Sequence, residues 1–183
     1  MKKIMILLLA GCFQTAHADD VMSICHWYGC KATDEVKVSL VERDKLAAMF
    51  QKDGNPVEER EDIRAAVQEL YLNAGRQSLI YQDKGGNFHD GTSPGRMDCV
   101  DHSTNSTTFL NYLAKNGWLK FHRVGKPVYR YPHIIDLHYA ALLEEIDNGS
   151  KWVVDSWFKD FGQPPEIVGL AEWKKGWRPS EKN

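Results

Sequence analysis

The spacing of apolar residues changes near Trp118, and this change is what most limits the folds open to the chain. Before it, apolar residues recur at helical spacing, which predicts helices from Asn55 to Gly75 and from Asp98 to about Asn116. After it, apolar and polar residues alternate, which predicts strands at 118–124, 134–144 and 151–158. Asp147-Asn148-Gly149-Ser150 predicts a hairpin between the last two strands, and the tail carries helical spacing at Leu170, Trp173 and Trp177. Helices followed by an antiparallel sheet indicate an α+β fold.

The start of the chain is typical of an export signal. Two lysines precede an apolar segment at 4–13, and Ala16-His17-Ala18 is a small-residue cleavage site. The alternative is a lipobox that ends at Cys12, but its signal would be unusually short. We therefore predict a signal peptide at 1–18, a single domain at 19–183, and a location in the periplasm or outside the cell.

Composition argues against two classes of partner. The 183 residues have a formal net charge of -2, and their mixed charges form no polybasic segment. We therefore expect no nucleic-acid partner. The apolar segment at 4–13 is too short to anchor the chain across a bilayer, so no transmembrane anchor is expected. The sequence does not indicate an oligomeric state.

The cysteines predict one disulfide and one free thiol. Of the four, Cys12 leaves with the signal peptide. In an oxidising compartment Cys25 and Cys30, which share one short loop, most simply form a disulfide. Cys99 is then an odd thiol in an exported protein and needs an explanation. It is either a buried, inert residue or a reactive one.

Cys99 lies at the predicted start of a helix, just after a loop rich in Gly, Ser and Pro. The unpaired amides and the positive dipole end of a helix N-terminus favour a thiolate. Asp98 and Asp101 are acidic and oppose it. A reactive Cys99 therefore needs an imidazolium partner, and His138, which opens a predicted strand, is the candidate.

Asp155 is the candidate for the acid that orients His138. It lies in an otherwise apolar strand, where a carboxylate must be paired or have a shifted pKa. A hairpin centred on Asn148-Gly149 predicts that His138 lies opposite Lys159, about four residues beyond Asp155. The predicted register alone does not bring the acid and the histidine together.

Neighbouring residues are candidates for other roles. His102 is one helical turn from Cys99 and is most simply a polar residue on an exposed turn; alternatively it could act as the base or, with Asp101, line the site. Trp157 is most simply a packing residue of the core or its rim, and alternatively it could contact a substrate. A zinc site formed by Cys99 and histidines including His133 lacks the paired spacing of zinc ligands, so we expect neither a metal nor a cofactor.

The order Cys99, His138, Asp155 resembles that of the transglutaminase-like superfamily, and within it the bacterial transglutaminase-like cysteine proteinases. The resemblance covers about 94–158. It implies a papain-like core in which the cysteine-bearing helix packs on a C-terminal antiparallel sheet. It also implies that Cys99 is the nucleophile, His138 the base and Asp155 the orienting acid.

The residues beside Cys99 differ from those of eukaryotic transglutaminases, which have Gln before the cysteine and Trp after it. Here Asp98 and Val100 take these places. The difference favours hydrolysis over crosslinking. We therefore expect a cysteine peptidase or amidase that cleaves amide bonds in peptides, proteins or cell-wall peptides through a thioester. The alternatives are a transamidase or deamidase that uses the same residues, and a non-catalytic interaction module with an inert Cys99.

Overall fold

The computed structural model describes residues 19–52, 54–87, 93–131 and 137–180. Its α-helices are α1 (Leu40–Met49), α2 (Pro56–Gly75), α3 (Cys99–Lys115) and α4 (Leu170–Lys174), and a 3₁₀ turn spans Leu79–Gln82. None of these described helices is long and apolar enough to cross a membrane. The strands are β1 (Asp20–His26), β2 (Ala32–Val38), β3 (His122–Arg130), β4 (His138–Glu145), β5 (Lys151–Asp155) and β6 (Glu166–Gly169). The predicted signal peptide and Cys12 lie outside the described residues.

The described strands form two antiparallel sheets. β1 pairs with β2, and the other four lie side by side in the order β3-β4-β5-β6. Together with the helices this is an α+β arrangement, as the change in apolar spacing predicts. β1 and β6 are not among the predicted strands, whereas the alternation of Val36, Val38 and Leu40 predicts a short strand that overlaps β2. β6 has only four residues, too few to show a clear alternation.

Two helices begin where the sequence predicts because polar side chains cap them. Asn55 accepts two backbone N–H bonds from the first turn of α2. Asp98 does the same for α3, and the carboxylate of Asp101 accepts from the Asp98 backbone N–H, which completes a capping box. Cys99 is therefore held as the first residue of α3.

The main core lies between the helices and one face of the four-stranded sheet, where α3 packs on β4. Its fully buried members include Ile63, Val67, Leu70, Phe109, Leu110, Leu113, Ala141, Leu143 and Val154. A smaller cluster on the opposite face joins β4, β5 and β6 to α4 through Ala140, Val153, Val168 and Trp173. The C-terminal helical turn thus packs on the body, as predicted. Both faces of the sheet are covered where β4 meets β5.

The third strand begins later than predicted. β3 starts at His122, because the Glu59 carboxylate accepts the backbone N–H groups of residues 120–122 and so holds the entry to the strand. Trp118 is partly buried and packs against the core instead, where its ring stacks on that of Phe50.

Candidate active site

Cys99 is the free cysteine among the described residues, since Cys25 and Cys30 form the predicted disulfide. It is half-buried at the N-terminus of α3, and its sulfur lies 4.0 Å from the carbonyl oxygen of Leu137. The backbone N–H of Tyr139 also acts on the sulfur. The thiol therefore lies against the backbone on either side of His138, at the start of β4.

Burial first, and the charges of Asp98 and Asp155 with it, raise the pKa of the Cys99 thiol to about 11, although the hydrogen bond from Tyr139 lowers it. The backbone N–H of Cys99 at the helix N-terminus also lowers the pKa, as expected, but burial outweighs this contribution. At neutral pH the thiol keeps its proton unless a neighbouring base accepts it.

His138 and Asp155 form a buried pair. Nε2 of His138 lies 2.7 Å from Oδ2 of Asp155, and each side chain is only 1% exposed. With Asp155 ionised, the shared hydrogen belongs to Nε2, and Nδ1 has a free lone pair. Nδ1 is buried and has no hydrogen-bond partner in the described part of the chain. It is the ring nitrogen able to take a proton.

The register of the hairpin brings this pair together. β4 and β5 align Ala141 with Val154, two positions away from the predicted register. Extended by one residue, this alignment places Asp155 opposite Ala140. His138 is two residues from Ala140 and so shares its face, which makes His138 and Asp155 diagonal neighbours. The predicted opposition of His138 and Lys159 was wrong.

Asp155 accepts two more hydrogen bonds. The indole Nε1 of Trp173 lies 2.8 Å from Oδ2, and the backbone N–H of Trp157 lies 3.3 Å from Oδ1. A carboxylate as buried as this one is stabilised in its charged form by such donors. Three aromatic rings then enclose His138, with centroids 4.8 Å away at Trp157, 5.3 Å at Phe158 and 5.7 Å at Trp173.

His102 forms a second buried histidine–carboxylate pair, on the inner face of α3. Its Nε2 lies 2.9 Å from Oδ2 of Asp83, and its Nδ1 lies 2.9 Å from Oγ of Ser156. Ser156 in turn bonds to Tyr71, 2.9 Å away. Both ring nitrogens of His102 are occupied, so the structure gives it no free lone pair with which to act as a base.

Trp157 is connected to the same network. Its indole N–H donates to Oδ1 of Asn87 at 3.0 Å, and the amide of Asn87 donates to Asp83 at 3.2 Å. The ring of Trp157 is buried and packs on His138. It therefore supports the histidine and offers little surface to a substrate.

Asp101 is fully buried beneath the disulfide loop and is not accessible as a lining residue. One of its oxygens accepts from the backbone N–H of Cys30 at 2.6 Å, and the other completes the cap of α3. Burial raises its pKa to about 6. Asn105, one helical turn further on, holds the backbone of Cys25 through both a donor and an acceptor. The loop is thus fastened to the helix that carries Cys99.

A metal site built on this loop would need free thiolates. Among the described residues, the sulfurs of Cys25 and Cys30 and an oxygen of Asp101 lie within 4.8 Å of one another, but the two sulfurs are bonded to each other. His133, which the sequence offers as a zinc ligand, lies outside the described residues.

The structure therefore brings Cys99, His138 and Asp155 to one place and sets Asp101 and His102 behind them in the body. Sequence reasoning missed Asp83, which opens a loop and gives no periodic signal. It could have recognised the burial of His102, since this residue shares a helical face with Phe109 and Leu113.

Comparison with known proteins returned no match to a family model, a curated protein or a solved structure.

Proposed function

We propose that this protein is an exported cysteine hydrolase of the transglutaminase-like kind, with Cys99 as nucleophile, His138 as base and Asp155 as orienting acid. One observation carries the proposal. His138 is bound through Nε2 to a buried carboxylate, while its Nδ1 has no partner among the described residues, and the Cys99 sulfur contacts the backbone at both sides of this histidine. A base held in one tautomer next to a protonated thiol is what nucleophilic catalysis needs.

The reaction follows from these groups. Cys99 gives its proton to Nδ1 of His138, and its sulfur attacks the carbonyl carbon of an amide. The C–N bond breaks, the amine leaves with the proton from His138, and the acyl group stays on sulfur as a thioester. Water then gives a proton to His138 while its oxygen bonds to the acyl carbon. The S–C bond breaks, a carboxylic acid leaves, and Cys99 regains its proton.

The substrates in this proposal are amide bonds of peptides, proteins or cell-wall peptides, and the core is papain-like. The Cys25–Cys30 disulfide supports an oxidising compartment, which is compatible with the predicted export signal. A transamidase or deamidase would use the same three residues and differ in the second step or in the amide that is attacked.

A non-catalytic interaction module is the competing function, and one observation favours it. The Cys99 thiol is half-buried and its pKa is raised to about 11, as expected of an inert cysteine. The two functions differ in whether His138 changes the reactivity of the thiol.

Alkylation of Cys99 by iodoacetamide between pH 5 and pH 10, read by peptide mass spectrometry, tests this point. His138→Gln keeps an amide donor for Asp155 but cannot take a proton. We expect it to lower the alkylation rate at pH 6–7 by about 100-fold or more. The variant should then gain reactivity only as the pH approaches the raised pKa of about 11.

The matched control is His122→Gln. His122 is also a buried histidine paired with a carboxylate, Glu59, but it lies at the opposite end of β3. It should leave the alkylation profile unchanged. Identical profiles for the wild type and His138→Gln would contradict the hydrolase and leave the interaction module.

A further inference from the structure

Trp173 shares its acceptor with His138. The indole Nε1 lies 2.8 Å from Oδ2 of Asp155, the same oxygen that accepts from His138 Nε2 at 2.7 Å. Trp173 is fully buried, and its ring centroid is 5.7 Å from that of His138. One carboxylate oxygen therefore receives two N–H groups, one from the proposed base and one from the C-terminal helix.

The hydrogen bond is not a general consequence of placing an indole in this interior. The Nε1 of Trp152, on β5, is also buried and has no hydrogen-bond partner within the described ranges. The fold thus tolerates a buried indole N–H without a partner, whereas that of Trp173 is directed at the acid. Trp152 also provides a matched control for substitution.

A buried arginine ties Trp173 to the strands that carry the site. Nη1 of Arg130 donates to the carbonyl oxygens of Trp173 and Trp177, each at 2.7 Å, and its guanidinium carbon lies 4.7 Å from the Trp173 ring centroid. Arg130 faces His138 directly across the β3–β4 pair. The position of the indole and the position of the histidine are therefore set by the same part of the sheet.

We propose that Trp173 is a positioning residue for the acid–base pair: its N–H fixes Oδ2 of Asp155 towards Nε2 of His138. The histidine then stays in the tautomer whose Nδ1 can accept the Cys99 proton. The C-terminal segment takes part in the site without contacting the reacting atoms. This inference rests on the proposed function, since a positioning role has meaning only if His138 activates Cys99.

The sign of the expected effect follows from the donor. A hydrogen bond to a carboxylate favours its charged form, and removal of the indole N–H takes one such donor away from Oδ2 of Asp155. Once protonated it no longer orients His138 as an anion. The loss of Cys99 reactivity on acidification should therefore begin at higher pH when the N–H is removed.

Trp173→Phe and Trp152→Phe, compared in iodoacetamide alkylation of Cys99 from pH 4 to pH 9, provide the test. We expect Trp173→Phe to react about ten-fold more slowly than Trp152→Phe near pH 5, with the gap narrowing at pH 8–9. A role in packing alone would lower the rate at every pH or lower the melting temperature, without moving the acidic limb. A chain with benzothienylalanine at position 173, which keeps the ring size and lacks the N–H, should behave as Trp173→Phe does and covers the case in which the phenylalanine variant folds poorly.

The outcomes separate the two proposals. If His138→Gln abolishes the reactivity at pH 6–7 but the variants at 173 follow Trp152→Phe, the positioning role is overturned and the hydrolase stands. If His138→Gln leaves the wild-type profile unchanged, both fall.

Discussion

Two of the buried histidine–carboxylate pairs in the described residues, His138–Asp155 and His102–Asp83, look alike at one nitrogen and differ at the other. His138 binds Asp155 and His102 binds Asp83, each through Nε2, at 2.7 and 2.9 Å. Nδ1 of His102 is satisfied by Ser156, whereas Nδ1 of His138 has no partner among the described residues. A histidine paired with an acid is therefore not enough to indicate a base. The second nitrogen distinguishes a residue that can accept a proton from one that holds the fold together.

The two acids should separate reactivity from stability. We expect Asp155→Asn to lower Cys99 alkylation at pH 7 by about 100-fold, and by no more than His138→Gln does, because the amide can donate to His138 and leave the hydrogen on the wrong nitrogen. Asp83→Asn should leave the rate within a few-fold of the wild type and instead lower the free energy of unfolding by about 3 kcal/mol, since it breaks a buried pair. Alkylation kinetics and urea denaturation measure the two effects. If Asp83→Asn loses as much Cys99 reactivity as Asp155→Asn does, the two acids do not have different roles.

His102→Gln sharpens the comparison from the side of the second histidine. Glutamine can keep one of the two hydrogen bonds, so we expect a loss of about 1–3 kcal/mol in the free energy of unfolding. Cys99 should keep its pH profile, in contrast to the loss of low-pH reactivity in His138→Gln. Collapse of that profile would instead make His102 the base, one helical turn from the thiol.

Asp101 offers a smaller and different contrast, because this buried carboxylate is bound by backbone N–H groups and not by a histidine ring. Burial raises its pKa to about 6, so between about pH 4 and pH 6 the folded protein binds this proton more tightly than the unfolded chain does. The contribution of Asp101 to stability should therefore fall as the pH rises through that window. Comparison of Asp101→Asn with the wild type, by denaturation at pH 4 and pH 6.5, should show a weaker decline in the variant. An equal decline of the free energy of unfolding in both proteins would show that Asp101 does not cause the decline.

Local signals predicted the helices and the disulfide well. Asn55 and Asp98 are capping residues whose effect depends on the next three residues, and the buried stripe of each helix can be counted from the sequence. The pairing of Cys25 and Cys30 follows from their spacing and from the compartment that the first 18 residues indicate. Each of these features depends on neighbours along the chain.

The hairpin register and the hydrogen-bond partners of the site residues were harder to predict from the sequence. The predicted register missed by two positions, and only the observed alignment of Ala141 with Val154 makes His138 and Asp155 diagonal neighbours. Trp173 and Asp83 reach the two histidine pairs from elements that lie far away along the chain, and no local pattern records such a contact.

The sequence by itself determined the α+β order, the capped start of α3 with Cys99 at its first position, and the candidacy of Cys99, His138 and Asp155. Tertiary structure alone decided that Nδ1 has a partner in His102 but none among the described residues in His138. It also decided that the Cys99 thiol has a raised pKa and that Trp173 donates to Asp155. The physical reason is that caps and periodicity arise within a few residues of backbone. Burial and the direction of a hydrogen bond depend instead on which distant side chains the packed sheet and helices bring together.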